Sequence, residues 1–402
     1  MDARCATLLK ARGLTPPGAP RDKPGLPGIG GEEHRKEGDM EFSVPYNGDI
    51  NLISRLAGLR EHNGSRIREI FLSGPQEHAA SGRIAHNGNA RQFEETVKLM
   101  HEAGFRVNLV MNSTCEGIRE YSDQYAGYMR DYIGFMVEEL GVEAFTVANP
   151  YILAMIRDIA PGAEISASVL ADVDCPERAR AVARLGANVV TPEVCVNRDL
   201  KALQAIKAEG LELKVMVNEG CLHKCPYRKF HFNAMSHISE NAARLGRGLT
   251  LEQFKAQVDV VAGQTFFNLC GADLQADHSL ILKSGWIRPE DLHVYEGVAT
   301  FFKISGRTCP TPVVERMVRA YMEQSWDGDL LDIMDSSLRT QSTRFGASLD
   351  NRKLGEAHFI DHVLNCNRNC AECGFCDRLA GEAVAYGELT ELKRRDREFF
   401  AK

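Results

Sequence analysis

Two groups of cysteines carry the most chemistry in this sequence. The first opens in Asn218-Glu-Gly-Cys221-Leu-His-Lys-Cys225-Pro-Tyr-Arg-Lys-Phe-His231, with Cys270 in Phe266-Phe-Asn-Leu-Cys-Gly and Cys309 in Lys303-Ile-Ser-Gly-Arg-Thr-Cys-Pro. The second is Cys366-Asn-Arg-Asn-Cys370-Ala-Glu-Cys373-Gly-Phe-Cys376, four thiols within eleven residues. Four thiolates gathered at one place are the ligand set of a [4Fe–4S] cluster or of an all-cysteine zinc site. Structural zinc usually takes two cysteine pairs separated by a longer loop, whereas the compact second run resembles those that wrap iron–sulfur clusters. One cysteine of such a run can serve a different cluster, so one or two clusters are expected. Cys366, Cys370 and Cys373 also match the spacing of the radical S-adenosylmethionine triplet, but that triplet follows the first barrel strand and this one follows the last. It reads as a coincidence of spacing.

Other residues near these groups can handle an anion. Arg228, His231 and His237 flank the first cysteine pair, and Arg307 lies two residues before Cys309. Arginine pairs bidentately with carboxylates, which makes Arg307, Arg228 and His231 the expected substrate-orienting set, Arg307 foremost. Cys115, Cys175 and Cys195 read as small buried hydrophobes, and Cys5 as a bystander.

The elements that must position these groups are short apolar runs alternating with amphipathic stretches, the pattern of βα units on a parallel sheet. Eight strands are expected: Phe42 to Pro45, Glu69 to Leu72, Val107 to Met111, Ala144 to Val147, Glu164 to Ser168, Asn188 to Thr191, Glu212 to Val217 and Thr300 to Ile304. Helices are expected over Ala90 to Ala103, Ile118 to Leu140, Cys175 to Leu185, Asp199 to Glu209 and Pro312 to Gln324, with Gly104, Gly141, Gly186 and Gly210 at C-caps. The count predicts a (β/α)8 TIM-like barrel, whose loops after the strands all open on one face. Cys221, Cys225, Cys270 and Cys309 can meet there. A long insertion, 218–299, separates the seventh and eighth strands. Residues 40–324 are thus read as barrel and 325–402 as a cysteine-rich C-terminal extension. Residues 1–39, rich in Pro, Gly and charge, are read as disordered, with Met40 a candidate natural start.

Composition narrows the field. With 44% hydrophobic and 26% charged residues the chain is ordinary globular material, and a net charge of −7 gives no global attraction to polyanions. No run of eighteen apolar residues and no secretory leader pattern occurs, so a cytoplasmic protein without a membrane span is expected. Twelve cysteines in a reducing compartment favour metal or redox chemistry over disulfides. No G-x-S-x-G elbow, H-E-x-x-H helix or P-loop is present.

In order along the chain, a series of landmarks resembles the U32 peptidase family. Phe42-Ser-Val-Pro-Tyr-Asn-Gly-Asp is similar to its opening strand and turn, Phe71-Leu-Ser-Gly to its "Tyr-Leu-Gly-Gly", and Glu164-Ile-Ser-Ala-Ser to its "Ile-His-Ala-Ser-Thr". Gly186-Ala-Asn-Val-Val-Thr-Pro-Glu, Phe302-Lys-Ile-Ser-Gly-Arg and Val318-Arg-Ala-Tyr continue the match. The resemblance implies a TIM barrel binding a [4Fe–4S] cluster through four cysteines, oxygen-independent hydroxylation, and prephenate as a co-substrate. By position Cys221, Cys225 and Cys270 match the family's ligand region. Where many members place a fourth cysteine before the last strand, the Lys283-Ser-Gly-Trp region has none, so Cys309 or a tail cysteine takes that role. The expected function is an iron–sulfur oxidoreductase acting on an organic, RNA or peptide substrate, with a homologous U32-like partner subunit as a further expectation. Peptide hydrolysis and a non-catalytic electron-transfer or scaffold role are the alternatives.

Overall fold

The computed structural model describes residues 40–75, 81–82, 89–244 and 263–401. The expectations for residues 1–39, Cys5 among them, lie outside these. Strands β1 (Met40–Pro45), β2 (Glu61–His62), β3 (Ser65–Ser73), β4 (Arg106–Met111), β5 (Ala144–Val147), β6 (Glu164–Ala167), β7 (Val189–Val190), β8 (Glu212–Met216) and β9 (Phe301–Lys303) form one sheet. Strand β1 pairs in parallel with both β3 and β9, which closes β1 and β3 to β9 into an eight-stranded barrel. Strand β2 only adds an antiparallel rung to β3. Each expected strand is one of the eight barrel strands.

Around the barrel run α1 (Asn51–Ala57), α2 (Ala90–Glu102), α3 (Asp123–Glu138), α4 (Pro150–Ile159), α5 (Pro176–Arg184) and α6 (Leu200–Lys207). Gly104, Gly141, Gly186 and Gly210 all have positive φ just past α2, α3, α5 and α6, as C-capping requires. Helix α3 begins later than the expected Ile118. Ile118 is left-handed at φ 64°, and Ser122 caps the helix by accepting the Tyr125 amide. Helices α1 and α4 carried no clear expectation. The signal for α4 lies in Asn149-Pro150, a side-chain cap followed by proline in the first turn.

A bulge shapes the barrel interior. The β1–β3 register passes from Phe42–Ile67 to Ser43–Glu69, leaving Arg68 as an extra residue, and such an insertion re-aims side chains. Arg68 then reaches Glu164 at 2.7 Å, Glu212 at 2.8 Å and Glu41 at 3.1 Å, all near the starts of their strands. This ion network, laid over the Phe301 ring, closes the N-terminal end of the barrel. One layer further in, fully buried Glu69 accepts from Lys214 at 2.7 Å, Ser43 at 2.6 Å and Asn108 at 3.0 Å.

The insertion between β8 and β9 splits in two by role. Its second half, with α9 (Ser279–Lys283), is barrel wall. Lys207 of α6 donates to the Gly297 carbonyl, Tyr295 to that of Asn197, and Tyr321 of α10 (Thr311–Glu323) to that of Ile287. Its first half carries α7 (Arg228–Arg244) and α8 (Gly263–Ala276). Helix α7 lies over the open end of the barrel: Ser236 accepts the Thr114 amide at 3.0 Å, Asn233 accepts the Thr114 hydroxyl at 2.7 Å, and Ser239 accepts the Ser81 amide at 3.2 Å.

The tail is α11 (Ser336–Phe345), β10 (Ala347–Leu349), α12 (Asn351–Glu356), α13 (Phe359–Leu364), α14 (Cys370–Cys373), α15 (Phe375–Ala383), β11 (Val384–Tyr386) and α16 (Glu391–Ala401). It packs with the barrel in one compact unit spanning residues 38–402. Phe359 stacks on Trp286 of the barrel wall at 5.3 Å, and the Arg198 guanidinium lies over both rings while donating to the Leu282 and Trp286 carbonyls. Gly346 ends α11 at φ +69°, and a Cβ there would collide with the Gly387 carbonyl beside the β10–β11 pair. Among the described residues no helix is long and apolar enough to cross a membrane.

Asp332, in the turn before α11, is pushed up to about 6 by burial and by the neighbouring Asp329. An acid whose folded pKa exceeds its unfolded value near 3.8 stabilises the fold when protonated. That contribution is complete below about pH 4 and lost as pH rises through about 6. Asp332→Asn should therefore melt higher than the wild type at pH 7, with the difference vanishing in scans at pH 4. Equal melting temperatures at pH 7 would refute this.

Candidate active site at the barrel mouth

The ends of β3, β4, β6, β8 and β9 surround an open cleft roofed by Phe232 of α7. Phe71, Val110, Met216 and Leu170 supply apolar walls, and Lys303, Arg307 and Glu219 supply charge. Lys303 is the last residue of β9, with its ammonium 4.0 Å from the Phe71 ring centre. Arg307 follows after Gly306, whose φ of +142° turns the chain, and it donates to the Ser73 and Ser81 hydroxyls. Both cations are only 6% exposed, so a carboxylate entering the cleft meets them with little intervening water.

Arg228 sits one carboxylate behind the cleft, 3.4 Å from Glu219 and 3.5 Å from Glu193. Burial opposes its charge, yet Glu219, Cys221 and Glu193 outweigh that and hold it above the usual arginine range. His231 stacks on Phe232 at 5.1 Å, and Phe232 rather than His231 faces the cleft. His237 lies further along the same helix. Glu219 and Lys303 were not singled out from sequence. Both follow or end a barrel strand, which is the signal that could have found them.

The first cysteine group gathers at the same end. Asn218 locks the ends of β8 and β9 together, its side chain accepting the Ser305 amide at 2.7 Å and donating to the Ser305 carbonyl at 3.0 Å. This fixes the loop of Cys221 and Cys225 against the loop of Cys309. The tail backs them: Glu219 bridges to Asp335, the Asp335 amide donates to Asn218, and the Leu338 amide donates to Gly220. Around this backing, the Cys309 sulfur lies 3.7 Å from Asp335, the Cys270 sulfur 3.6 Å from Ser337, and the Cys221 sulfur 3.6 Å from Glu219. Burial raises the Cys225 thiol, and nearby Cys270 adds to the rise.

The sequence model of peptidase family U32 matches residues 55–244. That span takes in β3 to β8 and is where the chain is similar to the family. An uncharacterized protease of Methanocaldococcus jannaschii is 28% identical over 352 residues, covering 85% of this chain and 98% of that protein. The solved U32 peptidase Mk0906 is 20% identical, with a TM-score of 0.45 over 55% of this chain and 84% of that one.

The second cysteine group lines a cleft of its own. The two groups are neighbours: Arg368, inside the tail run, donates to the Cys195 carbonyl at 2.8 Å and touches the ring of His223, which lies between Cys221 and Cys225. Burial, then the Arg368 charge, lower His223 to about 4, so its neutral ring accepts. Cys195 is buried and its thiol is pushed up to about 12 by that burial, as suits a core residue. Cys115 and Cys175 are half-buried. Among the described residues, no three His, Cys, Asp or Glu side chains are grouped as a ready site for a single metal ion. The donor types at this end, the thiols of Cys221, Cys225 and Cys309 on two loops and of Cys270 on α8, are those that an iron–sulfur group takes.

Proposed function

We propose that this chain is an iron–sulfur oxidoreductase of the U32 family that hydroxylates an anionic organic substrate, or one presented on RNA or peptide, without dioxygen. Cys221, Cys225, Cys270 and Cys309 are its cluster ligands. The observation that carries the reading is Glu219: it lines the cation-bearing cleft and its carboxylate lies 3.6 Å from the Cys221 sulfur, so substrate pocket and cysteine loop share one residue.

Replacing C–H by C–OH with water as the oxygen source releases two protons and two electrons. The electrons pass to an external one-electron acceptor protein, the place a homologous U32-like partner subunit would fill. A cluster held by these four cysteines would supply the electron path. Arg307 and Lys303 hold the carboxylate of the substrate or of a prephenate co-substrate. Arg228 fixes the Glu219 carboxylate, and His231 sets the tilt of Phe232 above the cleft. Phe71, Val110, Met216 and Phe232 exclude bulk water, leaving Glu219 to take the proton at the reacting carbon.

The test is anaerobic purification followed by iron, sulfide and zinc counts on the wild type and on Cys221→Ser/Cys225→Ser. The variant should lose about four irons and four sulfides per chain. Zinc in place of iron in the wild type, or unchanged iron in the variant, would overturn the reading. Peptide hydrolysis is the second reading, favoured by the name of the archaeal relative. Cleavage of a peptide library that survives in the double variant would establish it in place of the first.

A further inference from the structure

We propose that Cys366, Cys370, Cys373 and Cys376 hold an iron–sulfur cluster in the tail, a centre separate from the barrel-mouth cysteines and independent of what they bind. All four border one cleft, together with His362 and Lys283. Local geometry explains how. Helix α14 is a single turn, which puts Cys370 and Cys373 three residues apart on one side. Gly374, left-handed at φ +58°, then reverses the chain so that Cys376, in the first turn of α15, comes back to the same cleft.

Three further features suit sulfur-bound iron. Arg368 is itself left-handed at φ 61°, and its amide donates to the Cys366 sulfur at 3.3 Å, the kind of hydrogen bond that tunes cluster sulfurs. The His362 Nε2 lies 3.3 Å from the Cys373 sulfur, with its ring stacked on Phe375 at 3.8 Å. Lys283 lines the same cleft, a cation that would offset part of the negative charge of a four-thiolate centre. The inert alternative, free thiols, fits poorly because Cys366 and Cys370 are exposed and such thiols oxidise. Zinc is disfavoured by the eleven-residue spacing, which lacks the long loop between paired ligands.

The experiment uses the full chain, purified without oxygen. Cys366→Ser/Cys370→Ser touches only exposed cysteines, so far-ultraviolet circular dichroism should still show a folded chain. Its iron and sulfide should each fall by about four per chain. In contrast, Cys221→Ser/Cys225→Ser should keep the tail increment. A second readout needs no variant: iodoacetamide applied to the native wild type, followed by peptide mapping. Cys366 and Cys370 should react at least about tenfold more slowly before chelation than after it, since ligated thiolates are not free nucleophiles. Unchanged iron in the tail variant, zinc in the wild type, or native alkylation at the chelated rate would each overturn the proposal.

Discussion

Lys214→Met should destabilise the protein by about 3–5 kcal/mol at pH 7, the usual cost of removing one partner from a buried ion pair. Lys214 and Glu69 are both fully buried with 2.7 Å between ammonium and carboxylate. Burial alone would raise Glu69, but Lys214, Ser43 and Asn108 bring it down to about 2. In the wild type, then, this carboxylate contributes stability that is present above its unfolded value near 4.5 and lost as pH falls toward 2. Without Lys214, burial prevails and the folded pKa moves above the unfolded one. The sign of the dependence reverses, so the variant should gain on the wild type as pH drops from 7 to 4. Lys214→Met/Glu69→Gln should recover most of the loss, since no uncompensated charge remains. Denaturant melts of the three proteins at both pH values decide the matter. A Lys214→Met variant as stable as the wild type at pH 7 would show that the pair is not needed.

Arg307→Ala should weaken binding of prephenate, used as the probe dicarboxylate, by about a hundredfold, as truncating a buried charge partner costs about 2–5 kcal/mol. The argument rests on position: Arg307 is 6% exposed, lines the cleft, and is aimed by the Ser73 and Ser81 hydroxyls. Arg307→Lys keeps the charge but not the planar fork, and should fall between the two. Anaerobic titration calorimetry reads all three, with melting temperatures alongside. A purely structural arginine would lower the melting temperature and leave the lysine variant no better than the alanine one. Affinities within twofold of each other would remove Arg307 from the substrate site.

Much of this architecture is written locally. Apolar runs, Asn and Ser caps and glycines past helix ends are short-range signals, and they locate all eight barrel strands, even the two-residue β7. Because loops after parallel strands share a face, the placing of Cys221, Cys225 and Cys309 at one end of the barrel is readable from the strand order. What escaped the reading is non-local or phase-dependent. A single lysine ending a strand and a single glutamate after one look like solvated charges, so Lys303 and Glu219 were passed over. Whether His231 or Phe232 faces the cleft depends on the rotational setting of α7, which its weak amphipathicity does not announce. The docking of the tail through Arg198, Trp286 and Phe359 joins three distant segments, and no periodicity marks such a meeting.

The backing of the Cys221 loop by Asp335 and Leu338 also sets an order of events during synthesis. Every barrel strand has been made by Lys303, and α10 follows by Glu323. At about 5–20 residues per second, residues 325–402 occupy the ribosome for roughly another 4–16 s. During that interval the Cys221 loop lacks the backing that Asp335 and Leu338 supply. The mouth thus reaches its final geometry only after the tail is made, and a chain stopped shortly after Gln324 would lack the residues that back the Cys221 loop.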